Sequence, residues 1–317
     1  MDKRRLGMVK AHHIVIAAAI LTAGVGAASH AAEAPKVAAS IPPLHSLVSG
    51  VMAGVGTPAL IVRGAGGAHH RALRPSEARA LHRAEIVIWI GPALESFLAK
   101  PIKSLAGKAT IVTMVETPGL ELLAPRKAGL WAGDGAPPAR RAEPGNADPH
   151  IWLDPWNARI MVGAIGAALA ARDPANGARY GANVRALRRR LDTLSGTLRK
   201  FINPVRGVPY LVYHDGFQYF EKRFGLIARG AVARDPDRKP GPKRMLRLRA
   251  TIEAGRIGCI FAEPGTPASL IHALRGETGV PSAVLDPLGV GLAPGPDQYF
   301  TLMRTNTRAF VRCLSAP

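Results

Sequence analysis

Of the ten histidines in this 317-residue sequence, three stand where an imidazole could do chemistry. His69 lies in Gly64-Ala65-Gly66-Gly67-Ala68-His69-His70, a Gly-rich loop. That loop separates the apolar, β-branched run Pro58–Val62 from a helix start marked by Pro75, Ser76 and Glu77. His214 follows the apolar run Pro209–Tyr213, and a carboxylate, Asp286, follows Ala283-Val284-Leu285. His150 sits in Asp148-Pro149-His150-Ile151-Trp152-Leu153-Asp154-Pro155, where two X-Pro steps restrict the backbone on either side. Such rigidity suits a metal ligand, and a capped, buried turn would use the same residues. His69, His214 and Asp286 thus each follow an expected strand. In open α/β sheets ligands gather there, because the strand ends converge and the loops are free to vary. Neutral imidazole nitrogen is a good Zn2+ ligand, and three imidazoles with one carboxylate or water would fill a tetrahedral site. No His-x-x-x-His or Cys-x-x-Cys element seeds such a site locally, so it forms only if the fold gathers distant segments.

The elements that would position these residues alternate. Lys36–Ile41, Pro58–Val62, Ala84–Gly91 and Ala109–Met114 read as strands, separated by helical stretches opening at Pro42, at Pro75 and over Pro92–Lys100. Pro125–Pro149 is dominated by Gly, Pro, Ala, Lys and Arg without periodicity, the composition of a mobile loop. A helix over Trp156–Ala171 follows. A longer one from Pro174 to about Phe201 carries Leu187, Leu191, Leu194 and Leu198, and at 1.5 Å per residue it spans about 40 Å. The alternation then resumes, with strands at Pro209–Tyr213, Leu226–Val232, Gly258–Ala262 and Ala283–Leu285 and a closing helix over Tyr299–Leu314. This is an α/β reading: two lobes with parallel-type sheets flanked by helices, linked by one long rigid helix. The expected division is 1–31 for a secretory signal peptide, 32–173 for the N-terminal lobe, 174–202 for the linking helix and 203–317 for the C-terminal lobe. His45 is expected to be structural, His272 to be a surface residue, and His82 to lie in a helix-to-strand turn away from the site.

The N-terminus has a basic start at Lys3, Arg4, Arg5 and Lys10, an apolar stretch from Ile14 to Ala28, and small residues at Ser29, Ala31 and Ala32. That pattern is a cleaved export signal with no cysteine near the cleavage site, so a lipid anchor is not expected. No later stretch is long and apolar enough to span a bilayer. Export gives meaning to Cys259 and Cys313, an even count in an oxidising compartment, which favours a disulfide. The formal charge is +20, and removing the signal takes away four basic residues and one acidic one, leaving +17. With aromatics at 5% and the Arg and Lys residues spread over helices, this reads as a solvated basic surface rather than a nucleic-acid site.

Several runs, in order and spacing, resemble the metal-specific solute-binding proteins of bacterial ABC importers, and within them the periplasmic zinc-binding proteins. They are Pro43-Leu44-His45-Ser46-Leu47-Val48, His69 with Leu73-Arg74-Pro75-Ser76, Asp148 to Pro155, Tyr213-His214-Asp215, Phe217-Gln218-Tyr219-Phe220, Phe261-Ala262-Glu263-Pro264 and Leu285-Asp286-Pro287-Leu288-Gly289. The resemblance implies one metal in the cleft between two lobes, bound by His69 and His150 from the first and His214 from the second. Asp286 would be a fourth ligand or a close acceptor, with water as the alternative. Zn2+ would be the transported ligand, and the membrane permease of a zinc ABC importer the partner. The protein would be a periplasmic monomer and not an enzyme. Manganese-binding relatives usually place a carboxylate where this chain has His214, which favours zinc, and the family's cysteine pair matches Cys259 and Cys313. Two departures stand out. The stretch Pro125–Ala147 has no His, where zinc-binding relatives often carry a His- and acid-rich loop, and Ala68 replaces the Glu that some relatives have before the first His. The rival readings are a manganese-binding protein or adhesin of the same family, and a zinc hydrolase using Asp215 or Glu263 as general base. The hydrolase lacks a His-Glu-x-x-His helix or a Gly-x-Ser-x-Gly turn.

Overall fold

The computed structural model describes residues 33–63, 72–126, 130–131, 140–233 and 240–316. The expected signal peptide and the loop carrying His69 and His70 lie outside the described residues. Strand and helix alternate as β1 (Val37–Ala39), α1 (Pro42–Val51), β2 (Ala59–Leu60), α2 (Pro75–Arg83), β3 (Ile86–Trp89), α3 (Ser96–Leu105) and β4 (Thr110–Thr113). The four strands pair in parallel in the order β2-β1-β3-β4. Every residue of β3 is buried, which is why Ile86-Val87-Ile88-Trp89 shows no polar alternation. Pro42 and Pro43 fall in the first turn of α1, where the missing N–H groups have no intrahelical partner in any case.

Helix α3 differs from the expected helix over Pro92–Lys100. Leu94 and Glu95 first turn back, their amides bonding to the Gly91 carbonyl, and the helix proper starts at Ser96 and continues through Pro101. The inward-turned Glu95 accounts for the late start. Its carboxylate accepts from Gly91 N at 2.9 Å, from Ile90 N at 3.3 Å and from the Ser40 hydroxyl. Burial pushes its pKa up to about 7 against those hydrogen bonds. The buried Leu98 and Ile102 carry the helix past Pro101.

A 3-10 turn at Ile151–Leu153 leads into α4 (Pro155–Arg172), capped where the Asp154 side chain accepts from Trp156 N at 2.9 Å. Another 3-10 turn, Pro174–Asn176, precedes α5 (Gly177–Ile202), whose 26 residues span about 39 Å. The second alternation is β5 (Pro209–Val212), α6 (Gln218–Phe224), β6 (Ile227–Ala231), α7 (Pro242–Glu253), β7 (Cys259–Ala262), α8 (Ala268–Arg275), β8 (Ser282–Val284) and α9 (Gln298–Leu314). Its sheet is parallel in the order β6-β5-β7-β8, the same arrangement as the first.

One hydrophobic cluster runs through both lobes. Leu47, Val48 and Val51 of α1, Leu187, Leu191, Leu194 and Leu198 of α5, and Phe217, Phe220 and Phe310 of the second lobe all belong to it. Each fully buried side chain of this size contributes roughly 1.5 to 3 kcal/mol. The leucine stripe of α5 is thus the spine of a shared core.

The stretch 125–149, mobile by composition, is pinned wherever it is described. Ala124 N donates to Arg140 O at 2.8 Å and Ala142 N to Leu122 O at 3.1 Å, so its two ends pair. Farther along, Trp131 N donates to Arg229 O at 2.9 Å beside an antiparallel bridge between Leu130 and Gly230. These bonds cover the outer edge of β6, where unpaired backbone groups would otherwise face water.

Cys259 of β7 and Cys313 of α9 are joined in a disulfide. Closing a 54-residue separation stabilises the fold by about 4 kcal/mol in the chain-entropy model. Protein prepared without reductant should show no free thiol on denaturation, and reduction should lower its melting temperature; two titratable thiols in the unreduced sample would contradict the assignment.

Candidate metal site

His150 and His214 come from different lobes and meet. Their Nε2 atoms lie 3.2 Å apart, with ring centroids 5.1 Å apart and ring planes inclined by 56°. Both side chains are buried. In each ring the other nitrogen is tied to a carboxylate: His150 Nδ1 lies 2.8 Å from Asp148 Oδ1, and His214 Nδ1 bonds to Glu263. With both Nδ1 atoms donating, the two Nε2 lone pairs converge on one region, which only a cation or a shared proton satisfies. Two corners of a zinc tetrahedron with bonds of 2.0–2.1 Å are about 3.3 Å apart, close to the separation seen. Gly216 faces the same region, since a Cβ there would come within 2.7 Å of His214 Nε2 and 3.4 Å of His150 Nε2.

Local sequence explains how each ring is aimed. Pro149 and Pro155 bracket the turn that carries His150, and Asp148 Oδ1 also accepts from the His150 amide at 2.9 Å. Asp148 is itself held from the second lobe, its Oδ2 accepting from Gln218 Nε2 at 3.0 Å and its carbonyl from the Tyr219 hydroxyl at 2.8 Å. Burial works to raise the Asp148 pKa, but the His150 ring and these hydrogen bonds together lower it, so the group stands as a carboxylate. His214 follows β5, and Glu263 follows β7, its neighbour in the sheet. Burial works to lower the His214 pKa, but the carboxylates of Glu263, Asp215 and Asp148 outweigh it, and the net shift is upward.

Asp286 follows β8 and organises its own loop. Its Oδ1 accepts from Leu288 N at 2.9 Å and Gly289 N at 2.7 Å, and its Oδ2 from Val290 N at 2.7 Å. Its backbone is fixed by Asn306, and the Trp152 indole donates to Pro287 O at 2.8 Å, which ties this loop to the His150 turn. Among the described residues no three His, Cys, Asp or Glu side chains are grouped closely enough to hold a metal, and His69 lies outside them. His45 is buried with Nε2 3.1 Å from Pro58 O, while His82 and His272 are exposed.

Residues that sequence reasoning did not single out complete the surroundings. Arg126, at the start of the His-poor stretch, has a nearly fully buried side chain. Its Nε donates to both Asp215 oxygens at 3.1 and 2.9 Å, and its Nη2 reaches Asp215 and, at 2.8 Å, Glu221. The guanidinium also lies 4.0 Å from the Trp131 ring centroid. Asp148-Pro149-His150 does carry a local signal for its carboxylate, because an Asp side chain in a turn accepts from the backbone amide two residues on, here that of His150. The pairing of Arg126 with Asp215 across 89 residues has none.

A family model described as zinc-uptake complex component A, periplasmic, matches residues 37–313. The high-affinity zinc uptake system protein ZnuA of Brucella suis is 36% identical over 334 residues, covering 97% of this chain and all of that one. Its counterpart in Paracoccus denitrificans is 29% identical, covering 98% of this chain and all of that one. Among solved structures, a crystal structure of ZnuA superposes with a TM-score of 0.75 at 21% identity, covering 89% of this chain and 100% of that one. The periplasmic zinc binding protein TroA of Treponema pallidum gives 0.74 at 20% identity, covering 89% and 99%. These two share the fold.

Replacing His150 or His214 by Ala should weaken metal binding by at least about tenfold, roughly 1.4 kcal/mol, whereas His272→Ala should leave it unchanged. Because a proton competes with metal for His214, whose pKa is raised, affinity should decline as pH falls, starting above the usual imidazole range near 6.5. Glu263→Gln removes the carboxylate that, from the Nδ1 side, stabilises the ring when Nε2 is protonated. The variant should bind about tenfold or more weakly at pH 8, yet lose less on acidification to pH 6. Isothermal titration at several pH values checks both, and a variant with the wild-type pH profile would contradict the role given to Glu263.

Proposed function

Matched over 37–313, the chain belongs to the zinc-uptake complex component A family of periplasmic proteins, and we propose that it captures Zn2+ and hands it to the permease of a zinc ABC importer. The cargo ion sits between His150 and His214, with His69 from the first lobe and either Asp286 or water completing a tetrahedron. The supporting observation is the 3.2 Å approach of two Nε2 atoms, each on a ring anchored through Nδ1 to its own carboxylate. Donors of this kind suit zinc better than manganese, which favours oxygen ligands. The names of the relatives, high-affinity zinc uptake system proteins, point the same way.

The chain acts as a binding protein and not as an enzyme. The two candidates for a general base are already engaged, Glu263 with His214 Nδ1 and Asp215 with Arg126. Residues 1–31 act as a cleaved export signal and leave a periplasmic monomer with no lipid anchor, divided into lobes at 32–173 and 203–317 by the linking helix 174–202. In competition titrations metal-free protein should take up one Zn2+ per chain and hold it at least about tenfold more tightly than Mn2+. Equal affinity for the two ions, or no zinc uptake, would overturn the reading.

A further inference from the structure

Helix α9 carries Arg304, Arg308 and Arg312 and no acidic residue. Spaced by four, the three fall on one face and form a row about 12 Å long. All three are exposed, while Tyr299, Met303, Phe310 and Cys313 of the same helix are buried. Among the described residues none of the three arginines has a hydrogen-bond or ion-pair partner. Asp297, just before the helix, is paired with Arg190 of α5. Like charges at this spacing repel along a helix, and no packing requirement places them there, since the buried face and the disulfide fix α9 from the other side. The helix C-terminus favours Arg312 in the last turn, but the repulsion along the row is relieved only by a partner that supplies negative charge.

The neighbouring element is basic at its end as well. α5 packs against α9, and its last turn carries Arg199, Lys200 and Phe201, the Phe201 ring being 60% exposed. Guanidinium groups match phosphate oxygens in a forked geometry, and an exposed aromatic ring suits the interfacial zone of a bilayer. The charge of +17 left after signal removal adds a long-range attraction to any anionic surface. A flat partner also suits a straight row on the outside of a helix. We propose that the α9 arginine row, with the adjoining end of α5, docks the protein on the anionic phospholipid surface of a membrane. Docking of this kind would keep the processed chain close to its permease without a covalent anchor, and it does not depend on the identity of the bound metal.

The test is flotation of the processed, zinc-loaded protein with vesicles of phosphatidylcholine, with or without phosphatidylglycerol, at low and raised salt. Wild type should float with the anionic vesicles only and be released by salt. The variant Arg304→Gln, Arg308→Gln, Arg312→Gln should partition at least about tenfold less. A charge-matched variant, Arg83→Gln, Arg179→Gln, Arg256→Gln, removes three exposed arginines elsewhere and should partition within about twofold of wild type. Zinc titration should be the same for all three proteins, which shows that each is folded. Equal loss in both variants would reduce the effect to net charge and overturn the proposal. Wild-type partitioning by the α9 variant, no binding to anionic vesicles, or capture by duplex DNA with none by vesicles would also overturn it.

Discussion

Two imidazole nitrogens from separate lobes, held 3.2 Å apart with their lone pairs turned toward each other, are the constraint on which the site depends. Left to themselves the two rings would rotate away or share a proton. Each is prevented from rotating by a carboxylate on its far side, Asp148 for His150 and Glu263 for His214. The Asp148 carboxylate is in turn held by the Gln218 amide, and the Glu263 backbone is fixed where its N–H donates to the Thr266 hydroxyl. Preorganisation of this kind favours the metal-bound state by removing the cost of orienting each ring on binding.

That arrangement survives only if the lobes keep their relative position, and several independent contacts see to it. The leucines of α5 belong to a core that reaches both lobes. Helix α6 of the second lobe reads the first through Gln218, Tyr219 and Arg223. The Tyr219 hydroxyl accepts from Leu123 N at 3.0 Å while donating to Asp148 O, and Arg223 pairs with Asp154 and Glu121. Arg126 is a buried cation that pairs with both Asp215, next to His214 in the chain, and Glu221. Removing a partner from such a buried set costs about 3 to 5 kcal/mol, because an uncompensated charge remains. Opening the cleft widely would break these bonds together.

The fold was legible because parallel strands covered on both faces read as continuous apolar runs, as at Ile86–Trp89 and Cys259–Ala262. The long helix was legible from the three- and four-residue spacing of Leu187, Leu191, Leu194 and Leu198. What the pattern did not carry were features set by tertiary contact. Glu95 delays α3 by turning into the core, and no local signal marks a carboxylate that will be buried. Residues 130–131 look structureless by composition, yet they pair with β6, because an open strand edge accepts almost any backbone. In the site, the rigid Pro-flanked turn at His150 and the strand-end position of His214 were visible as local patterns. The partners that aim the rings were less so: Glu263 lies 49 residues from His214, and Gln218 lies 70 from Asp148.

Whether imidazole nitrogens from both lobes close on a single zinc ion is read out by zinc K-edge X-ray absorption of the loaded protein. The spectrum should show a nitrogen shell at about 2.0–2.1 Å with the outer-shell scattering of at least two imidazoles. That scattering should lose one imidazole in His150→Ala and one in His214→Ala. A shell of oxygen or sulfur without imidazole scattering, or a spectrum that either substitution leaves unchanged, would contradict it.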